Sequence, residues 1–190
     1  MMHELLIELS STWNSYWTKK TTDKTHRVHQ LVLQDIPTQL KAWNANSEKY
    51  LYRGSDGQGN ILRTPWVATF NPDITNSATK GFYPVYLFRD DMKSLVLELG
   101  FGATQFEEKY GRGPRFFQEL TIAVEGMQSS SKHLLKAVSP AVRQRLSLAP
   151  TSLDTSSDFK LRAYEKCSIY SLTYDLDNLP REEELQEDYL

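Results

Sequence analysis

The residues with types best suited to a binding site lie between positions 54 and 88. A flexible, amide-bearing turn precedes an aromatic residue in one hydrophobic run, and a polar loop separates that run from a second one. The residues concerned are, in chain order, Gly57, Gln58, Gly59, Asn60, Trp66, Tyr83 and Leu87. Glycines supply the positive φ angles of a tight turn, and aromatic side chains pair well across neighbouring strands. The residue types alone therefore favour a β-hairpin with two packed rings and leave its function open.

Histidines and paired acids are the candidates for metal binding and catalysis. His26 and His29 lie three residues apart in a predicted helix, but no third ligand is nearby and the H-E-x-x-H pattern is absent. The acid pairs at 90–91, 107–108 and 182–184 fall in a turn and at two helix starts. The G-x-S-x-G elbow and the P-loop motif are absent as well. We therefore predict no catalytic residue, no metal and no cofactor, and keep a nuclease assembled from distant carboxylates as an alternative.

Three basic residues surround the sequence GRGP at 111–114. Lys109, Arg112 and Arg115 could touch a phosphate backbone, or they could be solvated helix ends without a function. The residue pattern leaves both interpretations open.

The overall charge is compatible with a nucleic-acid partner once its distribution is considered. The formal net charge is −2, but residues 175–190 hold seven acids and one base, so the rest carries 21 bases and 17 acids. A weakly basic body permits phosphate contact without requiring it. The single cysteine, Cys167, excludes an internal disulfide and a four-cysteine zinc site and predicts a cytoplasmic setting. No apolar run reaches the ~18 residues of a membrane span, and no export signal is visible.

The hydrophobic periodicity predicts the elements that hold these residues. Residues 1–48 show helical spacing, with a helix up to Trp17 and a second one that Pro37 ends or kinks. Four short strands follow as KYLYRGS, NILRTPWVATF, FYPVYLFR and SLVLELGF, and CSIYSLTYDL predicts a fifth after a helical region. The short links indicate antiparallel pairing. We predict one α+β domain, a mainly antiparallel twisted sheet with packed helices. Its core is 49–174, and 175–190 begins a helical linker to a further domain.

Two segments resemble a known family. GSDGQGNILRTPWVATFNPDITNSATKGFYPVYLFRDDMKSLVLELGFGAT, residues 54–104, is similar to the DNA-recognition domain at the N-terminus of the McrB-like restriction family, which is directed against modified cytosine. The shared skeleton is G-x-G-N, five residues, Trp, a polar loop, Tyr-Pro-Val and a strand that ends in a Leu-x-x-Gly turn. YEKCSIYSLTYDLDNLPREEEL, residues 164–185, resembles the strand and helix that lead to the next domain of that family.

The resemblance implies base flipping, in which a modified cytosine leaves the duplex and enters a protein pocket. The matching pocket residues are Trp66, Tyr83 and Leu87, and strand alternation puts Tyr83 and Leu87 on one side. The residues that match the loop entering the vacated duplex are Gly57, Gln58, Gly59 and Asn60. Members of the family can carry an aromatic residue at the position of Gln58, so we expect the same site with an altered preference for flanking bases.

The predicted contacts with the DNA backbone come from Arg63, Ser77, Thr79, Lys80, Lys109, Arg112 and Arg115. The partners implied are double-stranded DNA with modified cytosine, and an AAA+ motor or an HNH nuclease domain that does the cutting. The predicted function is therefore recognition without catalysis. The rival hypotheses are the metal-dependent nuclease and a protein-interaction module whose aromatic residues are all core.

Overall fold

A five-stranded antiparallel sheet forms the centre of the molecule. The computed structural model describes residues 1–153 and 158–190. The strands are β1 (Leu51–Gln58), β2 (Asn60–Phe70), β3 (Phe82–Phe88), β4 (Ser94–Phe101) and β5 (Ser168–Asp175), and they lie side by side in chain order. Every neighbouring pair is antiparallel. This architecture, with helices around it, confirms the predicted α+β class.

Hydrophobic side chains cover both faces of the sheet, because successive residues of a strand point to opposite faces and few of them are polar. On β3, Tyr86 and Phe88 join one core cluster, whereas Val85 and Leu87 join another. A sheet covered on both faces needs apolar residues at successive positions rather than at every second one. This explains why the predicted strand sequences are so rich in aromatic and branched residues.

The N-terminal helices pack on the face that carries Tyr86 and Phe88. They are α1 (Met2–Trp17), α2 (Arg27–Gln30) and α3 (Ile36–Trp43), with a π-helical turn at Leu31–Asp35 between the last two. Pro37 stands in the first turn of α3. A wider turn before a proline accommodates its missing N–H, so the helical path continues beyond the position where we predicted an end or a kink.

The last helix, α8 (Glu182–Tyr189), packs on the same face as the N-terminal helices. The carboxylate of Glu182 accepts hydrogen bonds from the backbone N–H groups of Met2 and His3 at 2.8 and 3.0 Å. A helix start leaves such N–H groups without partners, and a carboxylate satisfies them well. Leu185 is buried, and the ring of Tyr189 stacks on Tyr86. Residues 182–189 are thus part of the packed structure, and their role as a linker stays a prediction.

The remaining helices lie between β4 and β5 in the chain. They are α4 (Thr104–Tyr110), α5 (Pro114–Ser131), α6 (Pro140–Arg145) and α7 (Phe159–Lys166), with a 3-10 turn at Lys132–Ala137. Phe116 and Leu120 of α5 and Ala163 of α7 form a second core with Phe101 at the end of β4. Within the described residues, no helix combines the length and the apolar character that a membrane crossing requires.

Candidate nucleic-acid interface

The glycine-rich turn is the tip of the hairpin between β1 and β2. Gly57 pairs with Ile61 and Gln58 with Asn60, so Gly59 lies at the end of the hairpin. Gly57 has φ +136°, and a Cβ there would lie 1.9 Å from the backbone oxygen of Asn60. Gln58, Gly59 and Asn60 are exposed. The predicted insertion loop is therefore a narrow turn that projects its amide side chains into solvent.

The segment after α1 holds this tip from behind. The backbone N–H of Thr22 donates to the oxygen of Gly59 at 2.8 Å, and the N–H of Ile61 donates to the oxygen of Lys20 at 3.0 Å. Two bonds from a second segment fix the direction in which the hairpin points.

A buried polar cluster anchors the base of the same hairpin. The strand ladder shifts register between Ser55 and Gly57, and Asp56 at this bulge is fully buried. Its Oδ2 accepts a 2.5 Å hydrogen bond from the hydroxyl of Tyr16 and lies 2.8 Å from Nδ1 of His29. Burial, and next the hydrogen bond to Asp56, raise the pKa of Tyr16, so the hydroxyl stays a donor. Asp56, before the tip, is thus bonded to the N-terminal helices, and Ile61, after the tip, is bonded to the segment that follows α1.

The three predicted pocket residues line one cavity. Trp66 stands opposite Leu87 in the pairing of β2 with β3, and Tyr83 lies on the same side of β3. The cavity between them has a volume of about 30 Å³. The hydroxyl of Tyr83 donates to the oxygen of Ala78 at 2.7 Å, and its ring packs on Phe70 with centroids 4.9 Å apart. This volume holds one or two water molecules and is smaller than a pyrimidine base.

A larger groove of about 570 Å³ adjoins this cavity. The two share Trp66, Ala78 and Tyr164 as walls. The predicted residues on the groove wall are Gly57, Gln58, Asn60, Ser77 and Thr79. The structure therefore brings the hairpin tip, the aromatic cavity and part of the polar loop to one concave surface.

The predicted basic residues are scattered around the groove and are not part of its wall. Lys80 is exposed next to Thr79. Lys109 and Arg115 lie over the ring of Tyr110, and Arg112 lies over Phe159 and bonds Glu107 at 2.6 Å. Glu107 and Phe159 are both groove residues. Arg112 thus contacts two groove residues, Lys109 and Arg115 contact Tyr110 beside them, and contact of these cations with DNA stays a prediction.

Arg63 is not part of this surface. Its guanidinium forms an ion pair with Asp90 and lies near Trp13 and Trp17 of α1. The hydrogen bonds that the guanidinium donates to Asp90 raise the pKa of Arg63. A cation already paired with a carboxylate is poorly placed to contact phosphate in the groove.

The groove and cavity residues that were not predicted include Arg53, Glu98, Lys160 and Tyr164. Arg53 of β1 lines the groove, where its Nη1 donates to the oxygen of Asn76 at 3.2 Å, and Lys160 of α7 lines the groove as well. Glu98 of β4 and Tyr164 of α7 line the cavity. No predicted helix or strand covered residues 160–166, so nothing placed Lys160 or Tyr164. Glu98 was visible only as the one charged residue in the run SLVLELGF.

The electrostatics of the cavity favour neutral groups. Burial raises the pKa of Tyr83 and holds the pKa of the Cys167 thiol well above its usual value. Burial also raises the pKa of Glu98 to about 8, although the hydroxyls of Ser168 and Thr151 oppose the shift. The Thr151 hydroxyl donates to Oε2 of Glu98 at 3.2 Å. Glu98 is thus mainly an uncharged carboxylic acid at neutral pH.

The two helical histidines take part in hydrogen bonds inside the fold. Nδ1 of His26 accepts from the backbone N–H of Val28 at 3.2 Å, and His29 bonds Asp56. In residues 1–153 and 158–190, no three His, Cys, Asp or Glu side chains form a group that could hold a metal ion. These contacts give both histidines a structural role.

Comparison with known proteins identifies the family. No curated protein and no solved structure matches the chain. One family model does, described as "MrcB-like, N-terminal domain", and it matches residues 11–190, which include every element of the groove and cavity. The chain therefore belongs to the MrcB-like N-terminal domain family, as the pattern of residues 54–104 predicted.

Proposed function

We propose that this protein is the DNA-recognition module of a modification-dependent restriction system and binds a modified cytosine that has left the duplex. Membership of the MrcB-like family supports DNA binding and a recognition role without catalysis. The observation that carries the finer proposal is that the hairpin tip and the aromatic cavity open onto the same groove. The tip enters the duplex, and the displaced base enters the cavity.

The residue types match the energetics of base extrusion. Removing a base from the stack costs a few kcal/mol, and stacking on an aromatic ring contributes ~1–3 kcal/mol per base. Trp66 and Tyr83 can therefore offset most of the loss. Because the cavity has a volume of only about 30 Å³, the walls must move apart on binding. Trp66 and Ala78 are the mobile candidates, since both are only partly buried and both also face the groove.

Contacts with the DNA backbone position the module without reading sequence. On the groove wall, Ser77, Thr79, Arg53 and Lys160 are available for this role. Lys80, Lys109, Arg112 and Arg115 extend the surface. Arg63 contributes least, because it lies outside the groove beside Trp13 and Trp17 and is paired with Asp90 there.

Selectivity for the modification is modest in this account. A methyl group contributes ~1–3 kcal/mol in an apolar pocket, or at most about two decades in affinity. A complete restriction system then needs two sites or a second check, which an AAA+ motor or HNH nuclease partner can provide. We propose that residues 49–174 form the binding core and that 175–190 leads to such a partner domain. The isolated chain should leave modified DNA uncut in the presence of magnesium.

The test is a titration at fixed salt with matched duplexes carrying plain, 5-methylated or 5-hydroxymethylated cytosine. We expect the wild-type protein to prefer a modified duplex, and Trp66→Ala to lose that preference while it remains folded. Trp17→Ala is the matched control, since this partly buried tryptophan lies on α1 and not in the groove. Equal affinity of the wild-type protein for all three duplexes, or unchanged binding by Trp66→Ala, would overturn the proposal.

A further inference from the structure

A single acidic side chain stands in the wall of the otherwise apolar cavity. Glu98 is 3% exposed, and no lysine or arginine forms a salt bridge with it in the described part of the chain. A buried carboxyl without a cation is costly to keep, so its presence calls for a reason. Its partner in the protein is the Thr151 hydroxyl, 3.2 Å from Oε2, which leaves further hydrogen-bonding capacity on the group.

The strand geometry directs this carboxyl to the cavity. Along β4, Val96, Glu98 and Gly100 fall on the side of the sheet that carries Leu87. A Cβ on Gly100 would lie 2.8 Å from Oε1 of Glu98, so the glycine leaves space for the carboxyl group. The pairing of β4 with β5 also shifts register between Leu99 and Gly100. Such irregularities commonly re-aim a side chain beside a functional site.

We propose that Glu98 recognises the hydrogen-bonding edge of the extruded base, while Trp66 and Tyr83 hold its faces. This inference rests on the proposed function. Cytosine presents a ring nitrogen acceptor, N3, beside an amino donor on C4. A carboxylic acid presents an O–H donor beside a C=O acceptor, so the two groups can form a pair of parallel hydrogen bonds. Glu98 would thus select for a base with an amino group, and the apolar residues would select for its modification.

The neutral state of the acid suits this role. Burial raises the pKa of Glu98 to about 8, so the acid can donate as well as accept at neutral pH. The hydroxyl of Ser168 lies close enough to oppose this shift but makes no hydrogen bond of good geometry within the described residues. The carboxyl group is therefore not fully satisfied by its protein surroundings, and a base edge can complete its hydrogen bonding.

The test combines two variants with one altered base. Duplexes carry either 5-methylcytosine or 5-methylpyrimidin-2-one, which keeps the methyl group and N3 but lacks the amino group. We expect the wild-type protein to bind the second duplex roughly tenfold or more weakly, because one buried acceptor loses its partner. Glu98→Leu should bind 5-methylcytosine weakly and show no further loss with the altered base. Glu98→Gln, whose amide can both donate and accept, should bind within about threefold of the wild-type protein.

The outcomes separate this inference from the proposed function. If the wild-type protein binds plain and modified duplexes with equal affinity and Trp66→Ala binds as tightly as the wild-type protein, both proposals fail. If Trp66→Ala loses binding but the wild-type protein binds the 5-methylcytosine and 5-methylpyrimidin-2-one duplexes equally, only the role of Glu98 is overturned. The altered-base measurement uses wild-type protein, so it decides the question even if Glu98→Leu does not fold. Equal losses for Glu98→Gln and Glu98→Leu would also contradict the paired hydrogen bonds.

Discussion

Replacing Glu98 by glutamine should stabilise the protein at alkaline pH and flatten its stability against pH. The carboxyl group is fully buried, and burial raises its pKa from an ordinary 4.5 to about 8. Glutamine has the same shape, keeps an acceptor for the Thr151 hydroxyl and carries no charge at any pH. The substitution therefore removes the titration and preserves the packing.

The direction and the size of this stability change follow from the pKa of Glu98 in the unfolded state and in the folded state. Below about pH 4.5 the folded and unfolded states are both protonated, and the group adds no pH dependence. Between 4.5 and about 8 the unfolded state releases a proton that the folded state retains, so stability falls as the pH rises. The window spans between three and four pH units, and each corresponds to about 1.4 kcal/mol, so the loss is on the order of 4–5 kcal/mol.

Urea denaturation at several pH values between about 5 and 9 measures this effect. The difference in unfolding free energy between Glu98→Gln and the wild-type protein should grow in favour of the variant across the range and level off above about pH 8. Glu108→Gln is the matched control, because this glutamate is exposed on α4. Parallel stability curves for the wild-type protein and Glu98→Gln would refute a raised pKa at this position.

Two further predictions concern the hairpin tip and the groove. Gly57→Ala should lower the urea midpoint more than Gly59→Ala. A Cβ at position 57 would lie 1.9 Å from the backbone oxygen of Asn60, whereas nothing lies within 4 Å of a Cβ at position 59. Equal shifts of the midpoint would contradict the tight turn. Arg53→Ala should weaken binding to plain and modified duplexes alike and reduce the slope of log K against log salt by about one. The exposed Lys132 at the far end of α5 is its control, and an equal effect of Lys132→Ala would exclude a specific contact by Arg53.

The strands could be predicted because their signals are local. The runs NILRTPWVATF and SLVLELGF coincide with β2 and β4 at both ends, since turn-forming residues flank dense apolar segments. The hairpin interpretation of the glycine-rich turn is correct for the same reason: Gly57 and Gly59 both have positive φ angles.

The full cavity could not be predicted because two of its wall residues are remote in sequence. Tyr164 reaches it from α7, a helix of eight residues whose sequence FKLRAYEK is mostly polar, and Cys167 reaches it from the position directly after that helix. Glu98 lies on the side of β4 that faces the cavity, and only the packed structure shows that Trp66 lines the same cavity. The phosphate contact of Arg63 stays a prediction, and only the structure shows that its guanidinium has an ion-pair partner, Asp90, inside the protein.

The fluorescence of 2-aminopurine placed next to the modified cytosine tests the central claim most directly, because this base brightens when its neighbour leaves the stack. At a protein concentration that saturates the modified duplex but not the plain one, we predict a rise with the modified duplex and a much smaller one with the plain duplex. Tight binding of the modified duplex without any rise would contradict base extrusion into the cavity of Trp66 and Tyr83.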